Sequence, residues 1–279
     1  MEKSVHSTGK EDSTAVRILG LIPARFASTR FPGKPLADIK GKSMIQRVYE
    51  RAKESAKLDE LVVATDDERI LLHVHEFGGR AILTADTHQS GTDRCAEAAM
   101  KLPGFDVIIN IQGDEPYIDN RQIDLLASCF ADPSTALATL VKKIESPEEL
   151  NNPNSPKVIL NRDSEAIYFS RSPIPYLRGK ENEEWLQHHT YFKHIGIYGY
   201  RLDTLKAITK LPISSLERAE SLEQLRWIEN GYRIKVAVTD IETKAVDTPE
   251  DLTNILKTGA KIDLKKAWNI KTMLSQACC

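Results

Sequence analysis

Short apolar segments alternate with amphipathic segments over the first half of the chain. The apolar segments contain almost no polar residues, which is typical of strands covered by helices on both faces of a parallel sheet. The predicted strands span residues 18–22, 61–64, 81–83 and 107–111. The predicted helices, with apolar residues at helical spacing, span residues 44–52, 67–77 and 93–100. This order predicts an α/β fold with a mostly parallel, Rossmann-like sheet, right-handed crossovers and helices on both faces.

The pattern changes in the second half of the chain. Strand patterns over residues 157–160, 166–170 and 191–200 are separated by turns and a polar insertion, which predicts an antiparallel lobe over about 156–215. Helical spacing returns at 216–228, and a strand at 234–238 and a helix beginning at Pro249 follow. We therefore expect three parts: a polar, disordered leader (1–16), one domain (17–260) and a C-terminal extension (261–279).

The composition is that of an ordinary globular protein and argues against several classes of partner. Of the 279 residues, 41% are hydrophobic and 28% are charged, and the net charge of −2 provides no overall attraction for nucleic acid or anionic membranes. No apolar run approaches the ~18 residues of a membrane span. The four cysteines form no CxxC motif and the first residues lack the apolar core of a signal peptide, so we expect a cytoplasmic protein.

The loop after the first predicted strand concentrates positive charge. It contains Arg25, Arg30 and Lys34 without any acid, and Gly33 between two prolines predicts a rigid turn that aims Lys34. Arginine forks and a lysine point charge suit a triphosphate, and ligands bind beyond the carboxyl ends of parallel strands. A solvated basic loop is the alternative interpretation.

Two aspartates are candidate magnesium ligands. Asp114 follows the most apolar predicted strand and comes directly after a glycine, which is typical of a metal ligand at the end of a strand. An ordinary turn is the alternative interpretation, because the same residue pairs are common in turns. Asp247 precedes the last predicted helix, where Thr248 is the predicted N-cap, so that Asp247 is not needed for capping. Two carboxylates together with phosphate oxygens suit Mg²⁺, and these two, although far apart in sequence, could converge on one metal.

One histidine stands out by its position in a predicted strand. His194 and Tyr198 have the same parity along the strand over 191–200 and therefore share a face. They could line a pocket, or His194 could be a strand-edge residue without a role.

Eight segments, in order between residues 17 and 260, carry a specific resemblance. They read LIPARFASTRFPGKPL (21–36), VATD (63–66), HQSGTDR (88–94), NIQGDEP (110–116), YFSR (168–171), HIGIYGY (194–200), LEQLR (222–226) and VDTPED (246–251). The chain thereby resembles the 3-deoxy-D-manno-octulosonate (Kdo) cytidylyltransferase, or CMP-Kdo synthetase, family. The resemblance implies a nucleotidyltransferase fold of glycosyltransferase-A type and a homodimer formed through the antiparallel lobe.

The resemblance also implies a reaction and roles for residues at the matching positions. CTP and Kdo would react with Mg²⁺ to give CMP-Kdo and pyrophosphate for lipopolysaccharide biosynthesis. Implied catalytic residues are Asp114, Lys34 and Arg25, and implied metal ligands are Asp114 and Asp247. Implied nucleotide-binding residues are Arg25, Ser28, Arg30, Lys34, Thr65, Asp66, Ser90, Gly91, Thr92 and Gln112. Implied sugar-binding residues are Arg94, Gln112, His194, Tyr198, Glu223 and Gln224.

Three other functions are compatible with parts of this pattern. A sialic acid cytidylyltransferase shares the Pro-Ala-Arg opening but typically continues with Gly-Gly-Ser-Lys, unlike residues 26–30 here. A sugar-1-phosphate nucleotidyltransferase usually has a glycine-richer first loop. A regulatory nucleotide-binding protein without activity would not need to retain Asp114 and Asp247.

Overall fold

Strands and helices alternate along the chain in a computed structural model that describes residues 16–27 and 31–258. The predicted leader up to residue 15, the predicted C-terminal extension, and Ser28 and Arg30 lie outside the described residues. The strands are β1 Ile18–Ala24, β2 Asp38–Ile39, β3 Lys42–Ser43, β4 Glu60–Thr65, β5 Ala81–Leu83, β6 Val107–Asn110, β7 Leu137–Lys143, β8 Lys157–Leu160, β9 Ala166–Ser170, β10 Phe192–Arg201 and β11 Lys235–Val238. The helices are α1 Met44–Ala52, α2 Glu68–Glu76, α3 Gly91–Lys101, α4 Asn120–Ser128, α5 Pro147–Asn151, α6 Trp185–His188, α7 Leu202–Ile208, α8 Ser215–Glu220, α9 Gln224–Glu229 and α10 Pro249–Thr258.

The central sheet is mixed but mainly parallel. Its strand order is β11-β7-β10-β6-β1-β4-β5, and β8 and β9 extend it from β10. β1 pairs in parallel with both β4 and β6, and β11 pairs in parallel with β7. The predicted α/β class is therefore confirmed.

β10 differs from the prediction, which assigned it to the antiparallel lobe. It lies between β7 and β6 in the middle of the sheet and runs antiparallel to both. Its first residues, Phe192 and Lys193, also pair with β8, so one ten-residue strand connects the β8–β9 hairpin to the main sheet. A register shift between Ile195 and Tyr198 separates the two ends of its pairing with β7.

Two apolar clusters occupy opposite faces of the sheet. Leu19 and Leu21 of β1 belong to one cluster, and Ile18 and Ile22 belong to the other. Helix α3 packs in the first cluster, and helices α1 and α4 pack in the second. Because successive strand residues point to opposite faces, a strand buried on both faces reads as a continuous apolar run.

Helix starts follow the capping signals in the sequence. The Ser43 hydroxyl accepts from the backbone N–H of Gln46 at the start of α1, as predicted. The predicted helical region over 216–228 is wrong as one element, because Ser221 adopts a left-handed conformation (φ 51°) and separates α8 from α9. Among the described residues, no helix combines the length and apolar character needed to cross a membrane.

Candidate active site

The carboxyl ends of β1 and β6 lie side by side and open into a cavity of about 230 Å³. The loops that follow these strands form its walls, as expected for an α/β sheet. Predicted site residues that line it are Arg25, Lys34, Ser90, Gly91, Arg94, Gln112, Asp114 and Asp247. The cavity therefore gathers residues from both ends of the domain, and it sits where the sequence predicted a ligand.

A tight turn aims Lys34 into this cavity. Gly33 has a left-handed conformation (φ 69°), donates its N–H to the carbonyl of Phe26 and caps a 3₁₀ turn over Lys34–Leu36. A β-carbon at Gly33 would lie 3.3 Å from the Phe26 ring. The turn therefore needs glycine both for its backbone angle and for its close contact with Phe26.

The Lys34 ammonium lies between the two candidate metal ligands. Its nitrogen is 2.8 Å from Asp114 Oδ2 and 3.7 Å from Asp247 Oδ1, and it donates a 3.0 Å hydrogen bond to the carbonyl of Val246. The N–H of Val246 in turn donates to the carbonyl of Asp114. Asp114 and Asp247 therefore lie around one lysine nitrogen, and the contact between Val246 and Asp114 brings their two loops together.

Glu115, next to Asp114, turns away from the cavity lining. Its carboxylate accepts a hydrogen bond from the hydroxyl of Thr243. Burial raises the pKa of Glu115, against the opposing effect of the Thr243 hydrogen bond, and the charge of Asp114 raises it further. The two neighbouring acids therefore differ in environment: one faces the cavity, and the other links two loops.

Asp66 and Arg94 form a buried ion pair beside the cavity. Arg94 Nη2 is 2.7 Å from Asp66 Oδ2, and Arg94 Nη1 donates to Thr84 Oγ1 at 2.6 Å and to the carbonyl of Ala85. Only 3% of the Arg94 side chain is exposed. The resemblance assigned Asp66 to the nucleotide and Arg94 to the sugar, whereas the structure joins them into one unit at the cavity wall.

The start of α3 forms another wall. Ser90 caps the helix in a capping box with Asp93, and a β-carbon at Gly91 would lie 3.2 Å from Pro23. The hydroxyl of Thr92 donates to Glu223 Oε2 at 2.7 Å, which points it away from the cavity. Thr65 is fully buried and accepts from the N–H of Asp67, and neither threonine lines the cavity.

The remaining predicted sugar-binding residues form a polar cluster next to the cavity, in which Tyr198 and Gln224 are buried and His194 and Glu223 are partly buried. Gln112, which lines the cavity, donates to the carbonyl of Gly196 at 2.8 Å and so connects the cavity to β10. The rings of His194 and Tyr198 are 5.1 Å apart, which confirms that they share a face. The Tyr198 hydroxyl and the Gln224 amide nitrogen are buried without a hydrogen-bond partner among the described residues. Unpaired buried polar atoms of this kind are available to a polar ligand or to water.

Burial determines the charge states in this polar cluster. It lowers the pKa of His194 to about 3, which keeps the imidazole neutral near pH 7. It raises the pKa of Glu223, with hydrogen bonds from Thr92 and Ser90 acting in the opposite direction. The His194 imidazole and the Tyr198 hydroxyl, whose pKa burial raises, are therefore uncharged near pH 7, whereas the cavity offers full charges.

Sequence comparison identifies the family. A family model described as cytidylyltransferase matches residues 19–236. The chain belongs to the cytidylyltransferase family. A 3-deoxy-manno-octulosonate cytidylyltransferase of Parabacteroides distasonis is 59% identical over 246 residues, covering 86% of this chain and 97% of the relative. The enzyme of the same name from Bacteroides thetaiotaomicron is 57% identical over 241 residues, covering 85% of this chain and 96% of the relative.

Solved structures agree with this cytidylyltransferase assignment. A CMP:2-keto-3-deoxy-manno-octonic acid synthetase complexed with CTP superposes with a TM-score of 0.81 at 45% identity, covering 88% of this chain and 99% of that one. A putative glucose-1-phosphate thymidylyltransferase from Bacillus anthracis shares only the fold, with a TM-score of 0.58 at 15% identity over 88% of this chain and 96% of that one. The predicted nucleotidyltransferase fold is therefore confirmed.

The acidic pair of this cytidylyltransferase fits a hard divalent cation. Within residues 16–27 and 31–258, no group of three or more His, Cys, Asp or Glu side chains is arranged to hold a metal ion. Asp114 and Asp247, however, approach one positively charged nitrogen from two loops. Mg²⁺ is commonly held by one or two carboxylates with substrate phosphates and water completing its shell.

Sequence reasoning left two polar side chains of the cavity lining without a role. His88 and Gln89 line the cavity just before the capping residue Ser90. Both residues immediately precede the start of α3 at the cavity, and this position in the sequence could have indicated that they line the site. His88 also contacts Glu97 of α3, so the loop that carries it is attached to that helix.

Proposed function

We propose that this protein transfers a cytidylyl group from CTP to Kdo and releases CMP-Kdo and pyrophosphate, for lipopolysaccharide biosynthesis. The observation that carries the proposal is the Lys34 ammonium between Asp114 and Asp247, in a cavity at the carboxyl ends of β1 and β6. The curated relatives that bear the name of this enzyme match nearly their whole length, and the solved relative was complexed with CTP.

The basic loop is the proposed triphosphate site. Arg25 and Lys34 line the cavity and would hold the phosphates, together with Ser28 and Arg30 of the same loop. Cations held by a rigid turn lose little entropy on binding and stabilise the charge that develops on the leaving pyrophosphate. Arg25 and Lys34 would therefore stabilise the leaving group, and the reaction would proceed without a covalent enzyme intermediate.

The nucleoside and the sugar acid are proposed to bind on either side of α3. Ser90 and Gly91 line the cavity and would contact the cytidine, whereas Thr65, Asp66 and Thr92 stand behind this wall and would support it. Gln112 would contact both substrates from its position between the cavity and Gly196. The sugar acid would be surrounded by Arg94, Gln112, His194, Tyr198, Glu223 and Gln224. In this arrangement the Asp66–Arg94 pair connects the nucleoside side to the sugar side.

Asp114 and Asp247 are the proposed ligands of Mg²⁺. When bound, the metal lowers the pKa of the attacking hydroxyl and neutralises phosphate charge. The anomeric hydroxyl oxygen of Kdo attacks the α-phosphorus in line, the new P–O bond forms, and the bond to the β-phosphate oxygen breaks. Pyrophosphate leaves, and the hydroxyl proton passes to water.

We also propose a cytoplasmic homodimer formed through the antiparallel lobe. Support comes from two exposed apolar side chains in this lobe, Ile167 at 52% and Tyr176 at 74% exposure. Light scattering after size exclusion should give twice the chain mass, and Tyr176→Asp together with Ile167→Asp should shift it towards the monomer. A monomeric mass for the unaltered protein would contradict the dimer, and recovery of the protein in a membrane fraction of its own cells would contradict the cytoplasmic location.

Pyrophosphate release is the decisive test of the reaction. The protein is incubated with CTP and Mg²⁺ and offered Kdo or sialic acid in parallel. We expect release with Kdo and its loss when EDTA removes the metal. Release with sialic acid alone would favour the neighbouring cytidylyltransferase class, and release with neither sugar would favour a nucleotide-binding protein without activity.

A further inference from the structure

The segment between β11 and α10 carries Asp247 to the cavity without regular secondary structure. Over residues 239–248 it crosses from the end of the sheet to the start of the last helix. At its first residue, the Thr239 N–H donates to the carbonyl of Val141, and farther on Ile241 accepts from the buried Gln122 amide. The contacts at Thr239 and Ile241 precede Asp247 by several residues. The position of the Asp247 carboxylate therefore depends on what holds the residues between Ile241 and Asp247.

The end of this segment near the cavity is attached to the loop that carries Asp114. Thr243 donates to Glu115, and the N–H of Val246 donates to the carbonyl of Asp114 at 2.8 Å. Val246 is fully buried and packs with Ile39 and Met44. These contacts hold the cavity end of the segment against the loop that follows β6.

The middle of the segment is attached to the sheet by one carboxylate. Glu242 Oε2 is 2.8 Å from Lys142 Nζ of β7, and Glu242 Oε1 contacts Lys193 Nζ of β10. Lys142 and Lys193 are register partners on adjacent strands, so their side chains leave the same face of the sheet. Like charges placed opposite each other are destabilising, and Glu242 is a counter-charge shared by both.

Charge and burial support a strong attachment at this point. Only 5% of the Lys193 side chain is exposed, and Lys193 also contacts Glu149 of α5. Burial alone would raise the pKa of Glu242, but hydrogen bonds from Lys142 and Lys193 lower it further than burial raises it. The carboxylate is therefore ionised at neutral pH and makes charge-assisted hydrogen bonds, which are stronger than neutral ones.

We propose that Glu242, held by Lys142 and Lys193, is a positioning residue that sets the distance of Asp247 from Asp114 and thereby the affinity of the site for Mg²⁺. This inference rests on the proposed function, because it takes Asp247 as a metal ligand. Lys193 also precedes His194 in β10, so the same strand would hold both the metal-binding segment and the proposed sugar site.

Two measurements on Glu242→Gln test the inference. Hydrogen exchange of the metal-free protein, followed by mass spectrometry, reports how firmly residues 239–247 are held. The half-saturating Mg²⁺ concentration for pyrophosphate release, at saturating CTP and Kdo, reports the metal site. The matched control is Glu50→Gln, because Glu50 (41% exposed) and Glu242 (39% exposed) each pair with a lysine, and Glu50 lies on α1 rather than on the segment.

For Glu242→Gln we expect faster exchange over 239–247. We also expect about a tenfold higher half-saturating Mg²⁺ concentration, the size typical of outer-shell changes at metal sites. Glu50→Gln should change neither. Lys142→Arg should retain both values of the unaltered protein, whereas Lys142→Met should move both towards those of Glu242→Gln.

Two outcomes would overturn the inference. The first is an unchanged rate of hydrogen exchange over 239–247 in Glu242→Gln. The second is an unchanged half-saturating Mg²⁺ concentration in an active Glu242→Gln protein, whether or not its melting temperature is lowered. The second outcome would reduce the ion pairs to a purely structural role. Absence of turnover in the unaltered protein would count against the proposed function, whereas the exchange measurement tests the attachment independently of any activity.

Discussion

Lys34 Nζ lies 2.8 Å from Asp114 Oδ2, so the cation proposed for the triphosphate also neutralises an acid proposed for the metal. The two residues are 80 positions apart in the chain and belong to the loops after β1 and β6. Only 17% of the Lys34 side chain is exposed. A partly buried ammonium beside two carboxylates makes the charges of the site interdependent, and this interdependence can be tested by removing the cation.

Lys34→Met should separate the two roles of this cation. Without the ammonium, CTP loses a charge-assisted contact of about 1.5–3 kcal/mol, so kcat/KM for CTP should fall by roughly 10- to 150-fold. The two carboxylates lose their counter-charge, so Mn²⁺ added without nucleotide should bind at least as tightly as before. Steady-state kinetics and electron paramagnetic resonance of free Mn²⁺ measure the two effects.

The control for this substitution is Lys57→Met, because Lys57 is an exposed lysine on the loop between α1 and β4. It should change neither kcat/KM nor Mn²⁺ binding. Unchanged kcat/KM in Lys34→Met would contradict the role given to the basic loop.

Asp114→Asn and Asp247→Asn should each lower kcat by about a hundredfold or more, because each amide removes a negative charge from the proposed metal shell. The fold should persist, since both side chains retain some exposure to the cavity and asparagine is isosteric. Turnover at saturating CTP and a thermal melt measure the two effects. Asp203→Asn is the control, with a side chain 97% exposed. Near-normal turnover in either variant would remove that aspartate from the metal site.

The sequence could predict features that depend on local pattern. The apolar run that forms β1, the cap at Ser43 and the turn at Gly33 are each encoded within a few neighbouring residues. The convergence of Asp114 and Asp247 was only one possibility at the level of sequence, because the contact between Val246 and Asp114 that brings their loops together joins distant segments.

Features that depend on pairing between distant segments could not be predicted. Nothing local to Phe192–Arg201 indicates that this strand inserts between β6 and β7, because the order of strands is set by pairing with segments that are distant in sequence. The Asp66–Arg94 pair was missed for a similar reason. Two charged residues at separate motifs were each assigned to a ligand, although their nearest partners are each other.

Asp66→Asn should destabilise the protein, because it leaves the Arg94 guanidinium buried without its counter-charge. Breaking a buried pair by removing one partner costs about 3–5 kcal/mol, and the remaining hydrogen bonds of Arg94 to Thr84 and Ala85 reduce this to about 2–4 kcal/mol. Urea denaturation measures the loss. The control is Lys206→Met at an exposed pair, which should cost about 0–1 kcal/mol. An equal effect in the two variants would contradict a structural role for the buried pair.

Gly113→Ala should displace the loop that carries Asp114. A β-carbon at this position would lie 2.8 Å from the carbonyl oxygen of Pro23, and the strand backbone cannot move aside as a flexible side chain could. We expect a loss of about 1–3 kcal/mol in unfolding free energy and a lower kcat. Gly196→Ala is the control for stability, because a β-carbon added there would have nothing within 4 Å. Full stability of Gly113→Ala would mean that the loop can relax without cost.

Glu97 should make stability depend on pH in the acid range. Its carboxylate accepts from the N–H of Ala85 and contacts Lys101 and His88. Burial raises the pKa of Glu97, but the hydrogen bond from Lys101, with those from Ala85 and His88, lowers it to about 2 from an ordinary 4.5. Because the folded state has the lower pKa, this contribution is complete above pH ~4.5 and is lost as pH falls towards 2.

Glu97→Gln removes this contribution, so its melting temperature should be lower than that of the unaltered protein at pH 6, and the gap should narrow by pH 3. The gap should narrow because the unaltered protein loses the stabilisation from Glu97 as pH falls, whereas the glutamine of the variant does not titrate. Glu183→Gln, at an exposed position, should show a small difference that is equal at both pH values. Since Glu97 holds the loop from Ala85 to the cavity-lining His88, the same variant should also raise KM for CTP. A gap that stays constant between pH 6 and pH 3 would show that the Glu97 carboxylate adds nothing to folding through its charge.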